Sequence, residues 1–123
     1  MREVYGYDFD GVISVGITPR SKDDVIITGR CLEESEHVLS VLKERGIDCA
    51  VFFNPMSLEE RGNHSVQART YSGKHKARTI KMLESDGILV TRFFEDDEIQ
   101  LAIAKEANPN VEFVHIVSTL VEK

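Results

Sequence analysis

A chain of 123 residues, 41% hydrophobic and 29% charged, has the size and balance of one globular domain that buries a core without disulfide staples. Its net charge of −6 argues against indiscriminate binding to nucleic acid or anionic membrane. No apolar run approaches the roughly 18–20 residues of a membrane span, and Asp8 comes too early for a signal peptide. Cys31 and Cys49 are isolated in apolar surroundings and read as buried thiols of a reducing, cytoplasmic setting.

In chain order, Glu3–Tyr7 reads as a short strand, weakened by Gly6 and two tyrosines, and Asp24–Thr28 as a second, rich in β-branched residues. Leu32, Ser35, Val38, Leu39 and Leu42 share one face of a helix reaching about Arg45, which Gly46 stops. Asp48–Phe53 is the third strand, closed by Asn54-Pro55. The run from Asn54 to about His75 reads as a long irregular loop, of the kind that is functional or disordered in a compact domain. A helix from Lys76 to about Ser85 follows, with Ala77, Ile80 and Leu83 inward. Then come a strand at Thr91–Phe94, a helix at Asp97–Ala107 and a last strand at Val111–Val117. Phe52, Phe53, Phe93 and Phe94 lie in strands and are expected in the core. Strands alternating with helices predict an α/β fold: a mainly parallel five-stranded sheet in three αβα layers, as one domain over 1–123.

Ligands of such sheets bind beyond the carboxyl ends of the strands. The polar clusters fall there: Asp8-Phe9-Asp10-Gly11, Thr28-Gly29-Arg30 and Glu95-Asp96-Asp97-Glu98. Asp8, Asp10, Asp96 and Asp97 on one edge would repel unless their pKa values rise or they hold a cation. Oxygen-only ligands favour Mg²⁺, which takes few carboxylates together with substrate phosphate. Lys76 and Thr28 are suited to a phosphate, and a carboxylate can act as nucleophile to form an aspartyl-phosphate. Between Arg61 and Leu83 the chain carries six basic residues and no acid, leaving −12 on the remainder. This block begins at the same edge and suits a phosphorylated, polyanionic ligand. Tyr71 is the lone Phe, Tyr or Trp in it, so base readout by stacking is not expected. A calcium loop over DFDGVISVGITP fails at Pro19, where a bidentate Glu is required.

Asp8-Phe9-Asp10-Gly11-Val12, then a strand ending in Thr28, a lysine opening a helix and an acidic pair after the next strand resemble the haloacid dehalogenase (HAD) superfamily along the whole chain. The resemblance implies a Rossmann-like fold and a Mg²⁺-dependent phosphomonoester hydrolase. Asp8 would be the nucleophile and Asp10 the general acid and then base. Thr28 and the amide of Gly29 would hold phosphate oxygens, and Lys76 would offset charge on the nucleophile; Arg30, next in the chain, reads either as a surface arginine or as a phosphate or substrate contact. Asp96 would complete the metal site with the Asp8 side chain and the Asp10 carbonyl. The acidic motif is EDDE, so Asp97 competes with Asp96 for the metal. Lys74 competes with Lys76, although the face Ala77, Ile80, Leu83 favours the latter. With only Val12–Asp23 and the 54–75 loop available for insertions, no substantial cap is expected, and capless members tend towards large substrates.

Two other functions stand beside this one. A receiver-type phospho-accepting domain needs an Asp at the end of the third strand and a Lys after the fifth, where Asn54 and Ser118-Thr119 stand. A catalytically silent binding module of the same fold is the other. Among the histidines, His64 and His75 are candidate substrate contacts, and His115 reads as a satisfied core or edge residue.

Overall fold

Five parallel strands form the centre of the structure, a computed structural model described over residues 1–63 and 65–117. They are β1 (Arg2–Tyr7), β2 (Val25–Cys31), β3 (Ala50–Asn54), β4 (Ile88–Glu95) and β5 (Glu112–His115), in the spatial order β3-β2-β1-β4-β5. The chain therefore builds outward from β1 on one side and then returns to its other side, so the strand order reverses beside β1. Four helices connect the strands: α1 (Ser35–Glu44), a single turn α2 (Leu58–Arg61), α3 (Val66–Ser85) and α4 (Glu98–Ala107). None among the described residues is long and apolar enough to cross a membrane.

Strand alternation sorts the apolar side chains into two cores. Val4, Val25, Ile27, Val90 and Phe93 face Ile80 and Leu83 of α3. Tyr7 and Ile26 face Val38 and Leu42 of α1, with Phe9, Val12 and Ile13 beside them. Both faces of the sheet are thus covered, which makes the fold α/β. A bulge interrupts the alternation in β4: Val4 pairs with Val90 but Tyr5 pairs with Arg92, leaving Thr91 extra. Val90 and Phe93, three apart, therefore share the α3 face.

The unusual composition of β1 has a packing reason. A Cβ on Gly6 would stand 2.6 Å from Cδ1 of Phe93, so the glycine makes room for a fully buried ring. On the opposite face the Tyr7 ring stacks on Phe94 at 5.1 Å, and its hydroxyl donates to buried Asp24 at 3.0 Å.

The structure departs from the sequence reading chiefly between Asn54 and His75. That stretch is not an irregular loop, because α2 occupies part of it and α3 begins at Val66, ten residues before Lys76. The caps of both helices are legible residues: Ser57 accepts the Glu60 N–H and Ser65 the Ala68 N–H. The first half of α3 buries Ala68, Ser72 and Gly73, small side chains that leave no apolar period to read. At the α1 helix, Leu32 and Leu39 are 60% and 49% exposed, so its inward face narrows to Val38 and Leu42. His75 is no substrate contact. It is buried beneath β3, with Nε2 at 3.2 Å from the Phe52 carbonyl and Nδ1 facing the Thr79 hydroxyl. His115 is exposed on β5 and meets the Asp96 carbonyl at 3.0 Å. His64, Ser118 and Thr119 lie outside the described residues.

Burial lowers the pKa of His75 from 6.5 to about 4, outweighing its hydrogen bonds. The unfolded chain therefore binds a proton between these values that the folded protein refuses, and stability falls as pH drops from about 6.5 towards 4, by on the order of 3 kcal/mol. His75→Gln should remove that component. Urea midpoints measured from pH 7 to 4.5 should decline less steeply in the variant, and parallel declines would contradict this role.

Candidate functional site

β1 ends at Tyr7, and the chain turns at once through a wide turn of π type over Phe9–Ile13, closed by Ser14 N–H donating to the Phe9 carbonyl at 2.9 Å. Within it Gly11 has φ 78°, and a Cβ there would fall 1.9 Å from Oδ2 of Asp96, so both backbone hand and space require glycine. The turn leaves Asp8 buried at the end of β1. Its Oδ1 accepts the Phe9 N–H at 2.8 Å and pairs with Lys76 Nζ at 2.9 Å.

Lys76 reaches this point from α3. Ala68, Ser72, Lys76, Ile80 and Leu83 form one inward stripe, apolar over the sheet and small or polar where the strands end. With 1% exposure, Lys76 spends its three protons on Asp8, Glu95 Oε1 at 2.6 Å and Gln100 Oε1 at 2.6 Å. Lys74 is exposed, which decides between the two lysines for contact with Asp8. Glu95, buried on β4, turns its second oxygen to the amides of Asp96 and Asp97, both at 3.2 Å.

Asp8, Glu95 and Asp96 each offer an oxygen within 4.8 Å of the others, an oxygen-only set that could hold a hard cation. Their electrostatics follow from three acids around one buried ammonium. Burial and the Glu95 charge push Asp8 well above the usual carboxylate range, and Lys76 offsets this only in part. Burial also raises Asp96. For Lys76 burial favours the neutral amine, but Asp8 and Glu95 outweigh it and hold the lysine charged, above its ordinary value.

The other expected residues separate. Asp10 is outside the acidic cluster, its carboxylate in a two-bond pair with Arg30 at 2.8 and 2.9 Å. Asp97 is not in the cluster either. It is the N-cap of α4, accepting the Ile99 N–H and pairing with Arg69. Burial alone would raise Asp97, but Arg69 and Gln100 hold it below its usual range. Thr28 is fully buried, its hydroxyl accepting the Arg30 N–H at 3.1 Å, and it does not line the cleft. Gly29 and Arg30 do, in an open cleft of about 480 Å³ that also takes in Asp8, Asp10 and Asp96. At the receiver position closing β3, the Asn54 side chain accepts the Met56 N–H instead.

Sequence reasoning assigned no role to Glu95, Gln100 or Ser72. Glu95 was detectable as the inward residue two beyond Phe93, whereas Gln100 and Ser72 carry no local signal. The basic block divides: Arg61 and Arg69 line the cleft, Lys76 lies buried against Asp8, and Lys74, Arg78 and Lys81 point to solvent.

Comparison with protein-family models, curated proteins and solved structures found no match to this chain. The site's chemistry therefore rests on its own geometry.

Removing the ammonium should expose the cost of its partners. Lys76→Met should destabilise the protein by about 3–5 kcal/mol at pH 8, because buried carboxylates lose their counter-charge. The folded variant then binds protons more readily than its unfolded chain, so acidification towards pH 5 should restore stability relative to wild type. A deficit independent of pH would contradict the charge account. Lys76→Met/Glu95→Gln should recover part of the loss in the same urea titration.

Proposed function

We propose that this protein is a Mg²⁺-dependent phosphomonoester hydrolase of the HAD kind, working through an aspartyl-phosphate on Asp8. The observation that carries the reading is the Asp8–Lys76 contact of 2.9 Å, with Asp96 in the same cluster, in a cleft at the carboxyl ends of parallel strands. Asp8 attacks phosphorus in line: its carboxylate oxygen bonds to phosphorus as the bond to the leaving oxygen breaks. Asp10, two residues on and at the cleft edge, gives that oxygen its proton. A water then attacks phosphorus, Asp10 takes the water's proton, and Asp8 is released with inorganic phosphate.

Lys76 offsets part of the burial and Glu95 charge that favour a protonated Asp8, and it balances the negative charge gathering beside it. Both Glu95 oxygens are engaged by Lys76 and the Asp96 and Asp97 amides, so Glu95 positions these groups and leaves Asp8 and Asp96 to face a cation. Asp8 and Asp96 would hold Mg²⁺, with the Asp10 carbonyl as the resemblance implies, and the ion would supply charge neutralisation at the phosphoryl oxygens. Asp97, committed to Arg69 and the α4 cap, is assigned no metal role. Gly29 and Ser72 line the cleft where phosphate oxygens would lie, a task the buried Thr28 performs only through the backbone it orders. The open cleft agrees with a capless form.

Asp8→Asn should lower kcat for p-nitrophenyl phosphate with Mg²⁺ by a factor of about 10³ or more while leaving the circular dichroism spectrum unchanged. Asp10→Asn should slow turnover and allow acid-precipitated protein to retain labelled phosphate on Asp8. EDTA should abolish activity and Mg²⁺ restore it. Full activity in Asp8→Asn would sink the assignment.

A further inference from the structure

Three arginines line the cleft, and their attachments differ. Arg61 is tied to backbone: Nε donates to the Gly62 carbonyl at 2.9 Å and Nη1 to the Gly29 carbonyl at 2.7 Å, with Glu34 at 3.2 Å. Arg69 is held by Asp97, whose carboxylate also caps α4, through three contacts to its Nε and Nη2. Arg30 has no such duty. It grips Asp10 through Nε–Oδ2 and Nη2–Oδ1, while its contact with Glu34 is stretched to 3.5 Å. The Asp10 side chain is 51% exposed, and with both oxygens turned to one guanidinium it is not free to serve a leaving oxygen at Asp8.

We propose that the substrate is a phosphomonoester carrying a second phosphate, and that this second phosphate takes Arg30 away from Asp10 and so releases Asp10 for catalysis. The inference rests on the hydrolase reading above and names its substrate class. The exchange is chemically even, because guanidinium trades one two-oxygen acceptor for another of the same geometry. An exposed carboxylate pair contributes little stability, so a dianionic phosphate competes well for the arginine. The cleft volume is that of a small-ligand site. A substrate without the second anion leaves Asp10 engaged, and selectivity arises from assembling the acid only when the right ligand is present.

The test uses adenosine 3′,5′-bisphosphate with adenosine 3′-monophosphate and adenosine 5′-monophosphate, each of which lacks one of its two phosphates. Calorimetry in an Asp8→Asn background, at about 0.15 M ionic strength, should show the bisphosphate binding at least about tenfold tighter than either monophosphate. Adding Arg30→Gln should reduce that preference to about twofold or less, the loss of one charge-assisted pair. Arg78→Gln, an exposed α3 residue away from the cleft, should keep it. In the active protein, Arg30→Gln should raise kcat for p-nitrophenyl phosphate and lower kcat/KM for the bisphosphate, whereas a purely structural Arg30 would lower both. Equal affinities, or a preference that survives Arg30→Gln, overturn the proposal. Selective binding without any turnover would instead overturn the hydrolase reading, and turnover without selectivity would leave that reading standing alone.

Discussion

The ammonium of Lys76 between Asp8 and Glu95 is the interaction on which the remaining structure depends. A buried ion group of this kind is a poor source of stability, since desolvation offsets most of the attraction. It is a strong constraint on geometry, because a displaced partner leaves a charge stranded in low dielectric. β1 and β4 must therefore end level with the middle of α3, where Lys76 lies. Small residues in the first half of α3 let the helix lie close to the strand ends, and the wide turn after β1 stops Asp8 at the point the lysine can reach.

Around this centre the charges are layered. Carboxylates gather innermost with one ammonium, and arginines from β2, α2 and α3 line the cleft, each already paired with an acid. Among the described residues no buried polar side-chain atom lacks a hydrogen-bond partner. The ion pairs at the cleft are more exposed than the central one and correspondingly cheaper to exchange. A site with a stiff charged centre and exchangeable outer pairs separates the task of holding reactive groups from that of choosing a ligand.

Much of this was legible in the residues. β-branched runs and helical periods located all five strands, α1 and the last helix, and the acids at strand ends marked the edge of the sheet at which the cleft lies. Asp8, Lys76 and Asp96, singled out by type, by position and by the resemblance, are brought together in the fold. The first half of α3 was hidden, since Ala68, Ser72 and Gly73 pack by being small and a hydrophobic pattern cannot register them. Pairing inside the EDDE run was hidden too: whether Glu95, Asp96 or Asp97 turns inward depends on strand phase, and Asp97 spends its carboxylate on a helix cap and Arg69.

That phase comes from the bulge at Thr91. Below it, Val90 faces α3; above it, Phe93 and then Glu95 do. The single extra residue divides β4 into two segments half a period apart, like a spacer that lets one thread engage two differently cut nuts. Closing the bulge with Thr91 drawn into register would rotate the upper segment alone, carrying Glu95 away from Lys76 while Val90 stayed seated against α3. Core packing and site chemistry are thus set by separate lengths of one strand, and the irregularity between them lets each be met without compromise by the other.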